Sequence, residues 1–135
     1  MLENFKRNLP YPGSPDFDQD SFIGLWVDDC VWSDVEYWKL EKDLLSINSI
    51  YPSPTLVPRE ILIGVMKIVQ FLMVPNWNNF QILETAELYT LDKNIEEIPN
   101  IYDRFERLQY VLSVLYTDII DIDNIDFDYQ LIPIP

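Results

Sequence analysis

The sequence predicts a mainly α protein, with room for α+β through a short C-terminal strand or hairpin, forming a single compact domain over residues 1–135. Two observations carry this expectation. Three segments, about 34–51, 58–74 and 100–117, repeat their apolar residues at helical spacing. Apolar residues make up 48% of the chain and aromatics 14%, which at this length supplies a core without disulfide or metal staples. Prolines punctuate the rest. Pro10, Pro12 and Pro15 predict an irregular opening, Pro52, Pro54 and Pro58 a loop, and Pro75 and Pro99 two boundaries.

The first long helix opens at Ser33-Asp34-Val35-Glu36, the S-x-x-E pattern in which each side chain satisfies the other's backbone donor. Tyr37, Leu40, Leu44, Ile47 and Tyr51 then form one apolar stripe, with Lys39, Lys42, Asp43, Ser46 and Ser49 opposite. Pro52 ends it. The second helix begins at Pro58, whose missing N–H costs nothing in a first turn. Ile61, Leu62, Ile63, Val65, Met66, Ile68, Val69, Phe71, Leu72 and Met73 cover most of its circumference, leaving Glu60, Gly64, Lys67 and Gln70 as a narrow polar stripe. A helix this apolar is expected to be surrounded, hence central; a self-association surface is the other reading of the same pattern. The third helix follows Pro99 with Asn100 as its cap and Ile101, Phe105, Leu108, Leu112 and Leu115 as its stripe. Arg104, Glu106 and Arg107 are expected outside.

Two stretches are less determined. Residues 80–91 suit either a short helix or a strand. Near the end, Ile120, Ile122, Ile125, Phe127, Tyr129 and Leu131 alternate with Asp121, Asp123, Asp126, Asp128 and Gln130, with one break of register at Asn124. That is either a bulged strand with its carboxylates on one face or a frayed tail.

Charge is the strongest functional signal. Nine Lys and Arg stand against 23 Asp and Glu, a net of −14. The excess gathers in two blocks: residues 14–36 carry Asp16, Asp18, Asp20, Asp28, Asp29, Asp34 and Glu36, and residues 118–135 carry Asp118, Asp121, Asp123, Asp126 and Asp128. Neither block holds a basic residue. Such blocks repel themselves and steer cationic partners inward, whereas nucleic acid and anionic membrane are disfavoured as direct ligands. A solubility surface is the plainer reading; clustering favours a binding face.

Catalytic equipment is sparse. The chain has no histidine, which removes the commonest general base and metal ligand together with the Ser-His-Asp and Cys-His arrangements. Cys30, the single cysteine, lies among carboxylates and apolar residues, a setting without the basic neighbours that activate a thiol, so it reads as structural. Its solitude excludes an internal disulfide. Asp16, Asp18 and Asp20 match the opening of a calcium loop, but Ser21 and Val27 stand where the glycine and the bidentate glutamate belong. A carboxylate pair could serve a hydrolase, yet 23 acidic residues supply such pairs by chance. No cofactor or metal is expected. The N-terminus lacks an apolar run behind Lys6 and Arg7, and the 61–74 stretch is too short to span a bilayer. A cytoplasmic protein is expected.

The segments Asn8–Tyr11 (NLPY), Ser21–Leu25 (SFIGL), Glu36–Glu41 (EYWKLE) and the proline-led VPREIL before the second helix resemble a family of small bacterial immunity proteins from polymorphic-toxin and contact-dependent growth-inhibition systems. The likeness is good over about the first 75 residues and loose beyond Pro75. It implies a single immunity-protein-like domain, non-enzymatic and cytoplasmic, that binds and neutralises one cognate toxin C-terminal domain. Charge complementarity suggests a basic nuclease as that toxin, because its substrate is polyanionic. The contrasting expectations are a carboxylate-dependent small hydrolase and an acidic nucleic-acid mimic. The toxin contacts are expected at Asp16, Asp18, Asp20, Asp28 and Asp29, or at Asp121, Asp123, Asp126 and Asp128, with Trp32 and Tyr129 as aromatic anchors beside them.

Overall fold

A computed structural model describes residues 1–10, 14–52, 54–73, 81–82 and 101–117. In chain order these form α1 (Glu3–Arg7), α2 (Phe22–Asp29), β1 (Val31–Trp32), α3 (Asp34–Ile50), α4 (Arg59–Leu72), β2 (Gln81–Ile82) and α5 (Ile101–Val114). The architecture is mainly helical, as the periodicity predicts. Short strands β1 and β2 pair in parallel, Val31 opposite Gln81 and Trp32 opposite Ile82. Most of the 80–91 stretch and all of the 118–135 segment, with its expected strand or hairpin, lie outside the described residues.

Helix α3 is the hub. Half of the expected capping box forms at its start, the Ser33 hydroxyl accepting from the Glu36 N–H at 3.2 Å, while the Glu36 carboxylate takes up Arg7 and Lys39 instead. Tyr37, Leu40, Leu44 and Ile47 are buried, and so are three polar residues spaced seven apart, Asp34, Glu41 and Asn48. Each of these three reaches α5. Asp34 receives Arg104 Nε and Nη2 at 2.8 and 2.9 Å. Glu41 receives Arg107 Nε and Nη2 at 2.9 and 2.7 Å. Asn48 donates to the Val114 carbonyl at 2.8 Å and accepts from the Tyr116 N–H at 2.7 Å, closing the C-terminal end of α5. The pairs follow the same order along both helices, so α3 and α5 run parallel.

Here the structure corrects the sequence reading. Arg104 and Arg107, expected outside, are buried. A guanidinium withdrawn from water demands a bidentate carboxylate, and the polar positions of α3 supply one each. The Arg107 guanidinium also lies 5.0 Å over the Trp38 ring.

A helix stands on either side of the proline-marked opening, where the sequence reading assigned none. Five-residue α1 is too short to stand alone; the Asp43 carboxylate of α3 accepts its Phe5 N–H at 2.9 Å. Helix α2 is capped twice at its start. The Ser21 hydroxyl accepts from the Gly24 N–H at 3.1 Å, and the buried Asn8 side chain accepts from the Ile23 N–H at 2.7 Å. Asn8 in turn donates to the Asn4 carbonyl at 2.7 Å. Gly24 lets α2 approach the preceding loop, since a Cβ there would come 2.8 Å from the Asp18 carbonyl oxygen.

Behind α3 lies an aromatic cluster of Phe22, Trp26, Trp32 and Tyr37. Phe22 stands edge-on to Trp32 at 4.7 Å between centroids and to Tyr37 at 5.5 Å. Burying these rings is a large share of the core's apolar area. The two indole N–H groups are met: Trp32 Nε1 donates to Asp34 and Trp26 Nε1 to the Phe71 carbonyl, both at 3.0 Å.

Helix α4 departs from the expected complete wrap. Ile61, Gly64, Val65, Ile68 and Leu72 are buried, whereas Leu62, Met66, Val69 and the capping Met73 are exposed. Gly64, assigned to a polar stripe by the sequence reading, is buried under α1: a Cβ there would come 2.6 Å from Phe5 Cζ.

Candidate functional site

The expected acidic face divides in the structure. Asp16 and Asp20 are exposed in the loop before α2, and Asp28 and Asp29 are exposed in the last turn of α2. None of these four carboxylates has an ion-pair partner among the described residues. Asp28 and Asp29 also lie at the negative end of the α2 dipole, where carboxylates weaken a helix.

Asp18 is different. It is half-buried and its Oδ2 accepts from Arg7 Nη2 at 2.8 Å and Nε at 3.0 Å, while Oδ1 accepts from the Asp20 N–H at 2.8 Å. The backbone donor of Asp20 and the Arg7 guanidinium hold its carboxyl below the ordinary value. Arg7 also reaches Glu36 at 3.1 Å. This bridge ties the acidic loop to the start of α3, so Asp18 positions its neighbours. Asp34, at the end of the same block, belongs to the buried pair with Arg104.

Trp32 does not stand beside the carboxylates as a surface anchor. It is fully buried, and its ring closes the aromatic cluster while its indole N–H steadies Asp34. Alternation in the sequence could not separate the two roles, because an aromatic flanked by carboxylates is common to both. Cys30 is exposed, capping α2 in the left-handed region at φ 55° with its N–H donating to the Leu25 carbonyl. Asp121, Asp123, Asp126, Asp128 and Tyr129 lie outside the described residues.

A second surface entered the sequence reading only as the self-association alternative for α4. Leu62, Met66, Val69 and Met73 are spaced at four, three and four residues, so they share one face of α4. Met66 is 63% and Met73 76% exposed, and Leu56, just before the helix, is 90% exposed. Its signal was the near-complete apolar circumference of α4, which exceeds what one buried face requires.

A sequence model of the family described as immunity protein 41 matches residues 7–128. The chain belongs to the immunity protein 41 family. The match runs well past Pro75, so the resemblance that is clear in the first half extends through most of the chain. No characterised protein and no solved structure matches. Family membership implies a cognate toxin as partner, which makes a protein-binding surface the feature to seek. The segments carrying the resemblance now have physical roles within the fold. Asn8 and Ser21 cap α2, and Glu41 holds Arg107. No helix among the described residues is long and apolar enough to cross a membrane.

Proposed function

We propose that this immunity protein binds and neutralises the C-terminal domain of a cognate, basic nuclease toxin in the cytoplasm, protecting the cell that produces it. The observation that carries the reading is a net charge of −14 in a member of an immunity family. Asp16, Asp20, Asp28 and Asp29, exposed and without an ion-pair partner among the described residues, support it. They contribute little to the fold, and a basic cleft that binds a polyanion is their electrostatic complement. Inhibition is by occupancy; the chain performs no reaction of its own.

The test is expression of the toxin domain encoded next to this gene, with and without the protein. The two co-purify, and cells survive only when both are present. Survival without a complex, or a complex that leaves nuclease activity intact, contradicts the reading. Capture of many unrelated basic proteins favours an acidic nucleic-acid mimic instead.

A further inference from the structure

The outward face of α4 is hard to explain as part of the fold. Leu62, Met66, Val69 and Met73 form a stripe roughly 16 Å long at the usual rise per residue, and Leu56, shortly before the helix, is also exposed. Scattered exposed apolar residues need no explanation, but a row along one helix marks a contact surface. The stripe ends beside charge. Because the Trp26 indole donates to the Phe71 carbonyl, the last turn of α2 meets the last turn of α4. That places Val27, 45% exposed, and the exposed Asp28 and Asp29 at the Met73 end.

We infer that this α4 stripe is the apolar centre of the toxin interface, with Asp28 and Asp29 as part of its acidic rim. The inference rests on the function proposed above and names the surface that performs it. An interface core of apolar side chains bordered by charge is the arrangement protein partners use. Two methionines give the centre unbranched side chains that adapt to an opposing surface. Charge selects the occupant. A second copy of this chain would bring −14 against −14, with Asp28 and Asp29 near the seam. A basic toxin domain relieves that repulsion and is steered onto the stripe by it.

The test uses the full chain and the toxin domain encoded next to its gene. Met66→Asp and the near-isosteric Met66→Gln are compared with Ser49→Asp, a control on the exposed side of α3. Titration calorimetry reads affinity, thermal melting reads the fold, and sedimentation reads the oligomeric state. Met66→Asp is expected to weaken binding about 30-fold or more and Met66→Gln by a smaller factor, with melting unchanged and the free protein monomeric throughout. The Ser49→Asp control binds like the parent. Binding by parent and both Met66 variants alike overturns the surface and leaves the function standing. No binding by the parent overturns the function itself, and the surface with it. A parent dimer that Met66→Asp dissociates without loss of toxin affinity assigns the face to a second copy. A sharp fall in melting temperature for both Met66 variants shows that the chain covers the face itself. Either result overturns the inference.

Discussion

Helices α3 and α4 are neighbours in sequence and opposites in use. Helix α3 is the less apolar, yet it organises the fold: it carries the acceptors for Arg104, Arg107 and the Phe5 N–H, and its Asn48 closes α5. Helix α4 is the more apolar, yet it leaves a row of large side chains outside. Hydrophobicity alone therefore does not identify the structural centre of this molecule. What identifies it is where polar groups are buried and satisfied, because those groups tolerate only one arrangement.

The sharpest way to break the α3 side is Arg104→Met. It leaves Asp34 buried without its cation, and unfolding by urea should show a loss of about 3–5 kcal/mol. Adding Asp34→Leu should recover part of that loss, because an apolar pair can replace a buried ion pair; recovery stays incomplete, since Trp32 Nε1 loses its acceptor. A smaller loss, about 2–3 kcal/mol, is expected for Gly24→Ala, whose Cβ meets the Asp18 and Gln19 backbone rather than a movable side chain. Asn48→Ala should cost about 1–2 kcal/mol, chiefly by orphaning the Tyr116 N–H, since the Val114 carbonyl keeps the Thr117 N–H and hydroxyl as donors. Asp18→Asn comes last, at about 1 kcal/mol or less, because its bridge to Arg7 is partly exposed to solvent.

The pH dependence of Asp18 has a definite sign. Its carboxyl is held below the ordinary value in the folded chain, so it stabilises the fold at neutral pH. That contribution fades only as pH falls below about 3.9 and through the lower folded value. A comparison of parent and Asp18→Asn melting between pH 7 and pH 3 should therefore show the two curves converging on the acid side. Divergence there contradicts the bridge.

Much of this was legible in the sequence, and the failures share one cause. Helix α3 follows from Ser33 and its stripe, and α4 and α5 from their periodicity. The helices α1 and α2 were missed because their decisive caps come from elsewhere: Asp43 for α1, Asn8 for part of α2. The buried arginines were missed because charge normally means exposure. A clue was present, since Asp34, Glu41 and Asn48 fall every seven residues inside an otherwise apolar face, which is where partners for buried cations must sit. For the candidate site, charge singled out Asp16, Asp20, Asp28 and Asp29, which the fold leaves exposed. It could not separate them from Asp18 and Asp34, which the fold uses, because pairing with Arg7 and Arg104 depends on tertiary approach. Trp32 failed as an anchor for the same reason.

The central claim is that α3 builds the fold and the outer face of α4 meets the toxin. Amide hydrogen exchange of the free chain and of its complex with the adjacent toxin domain tests it most directly. The account predicts that binding slows exchange across residues 59–73 and at the end of α2, while α3 and α5 remain as slow as in the free chain. New protection confined to α3 and α5, with 59–73 unchanged, would contradict it.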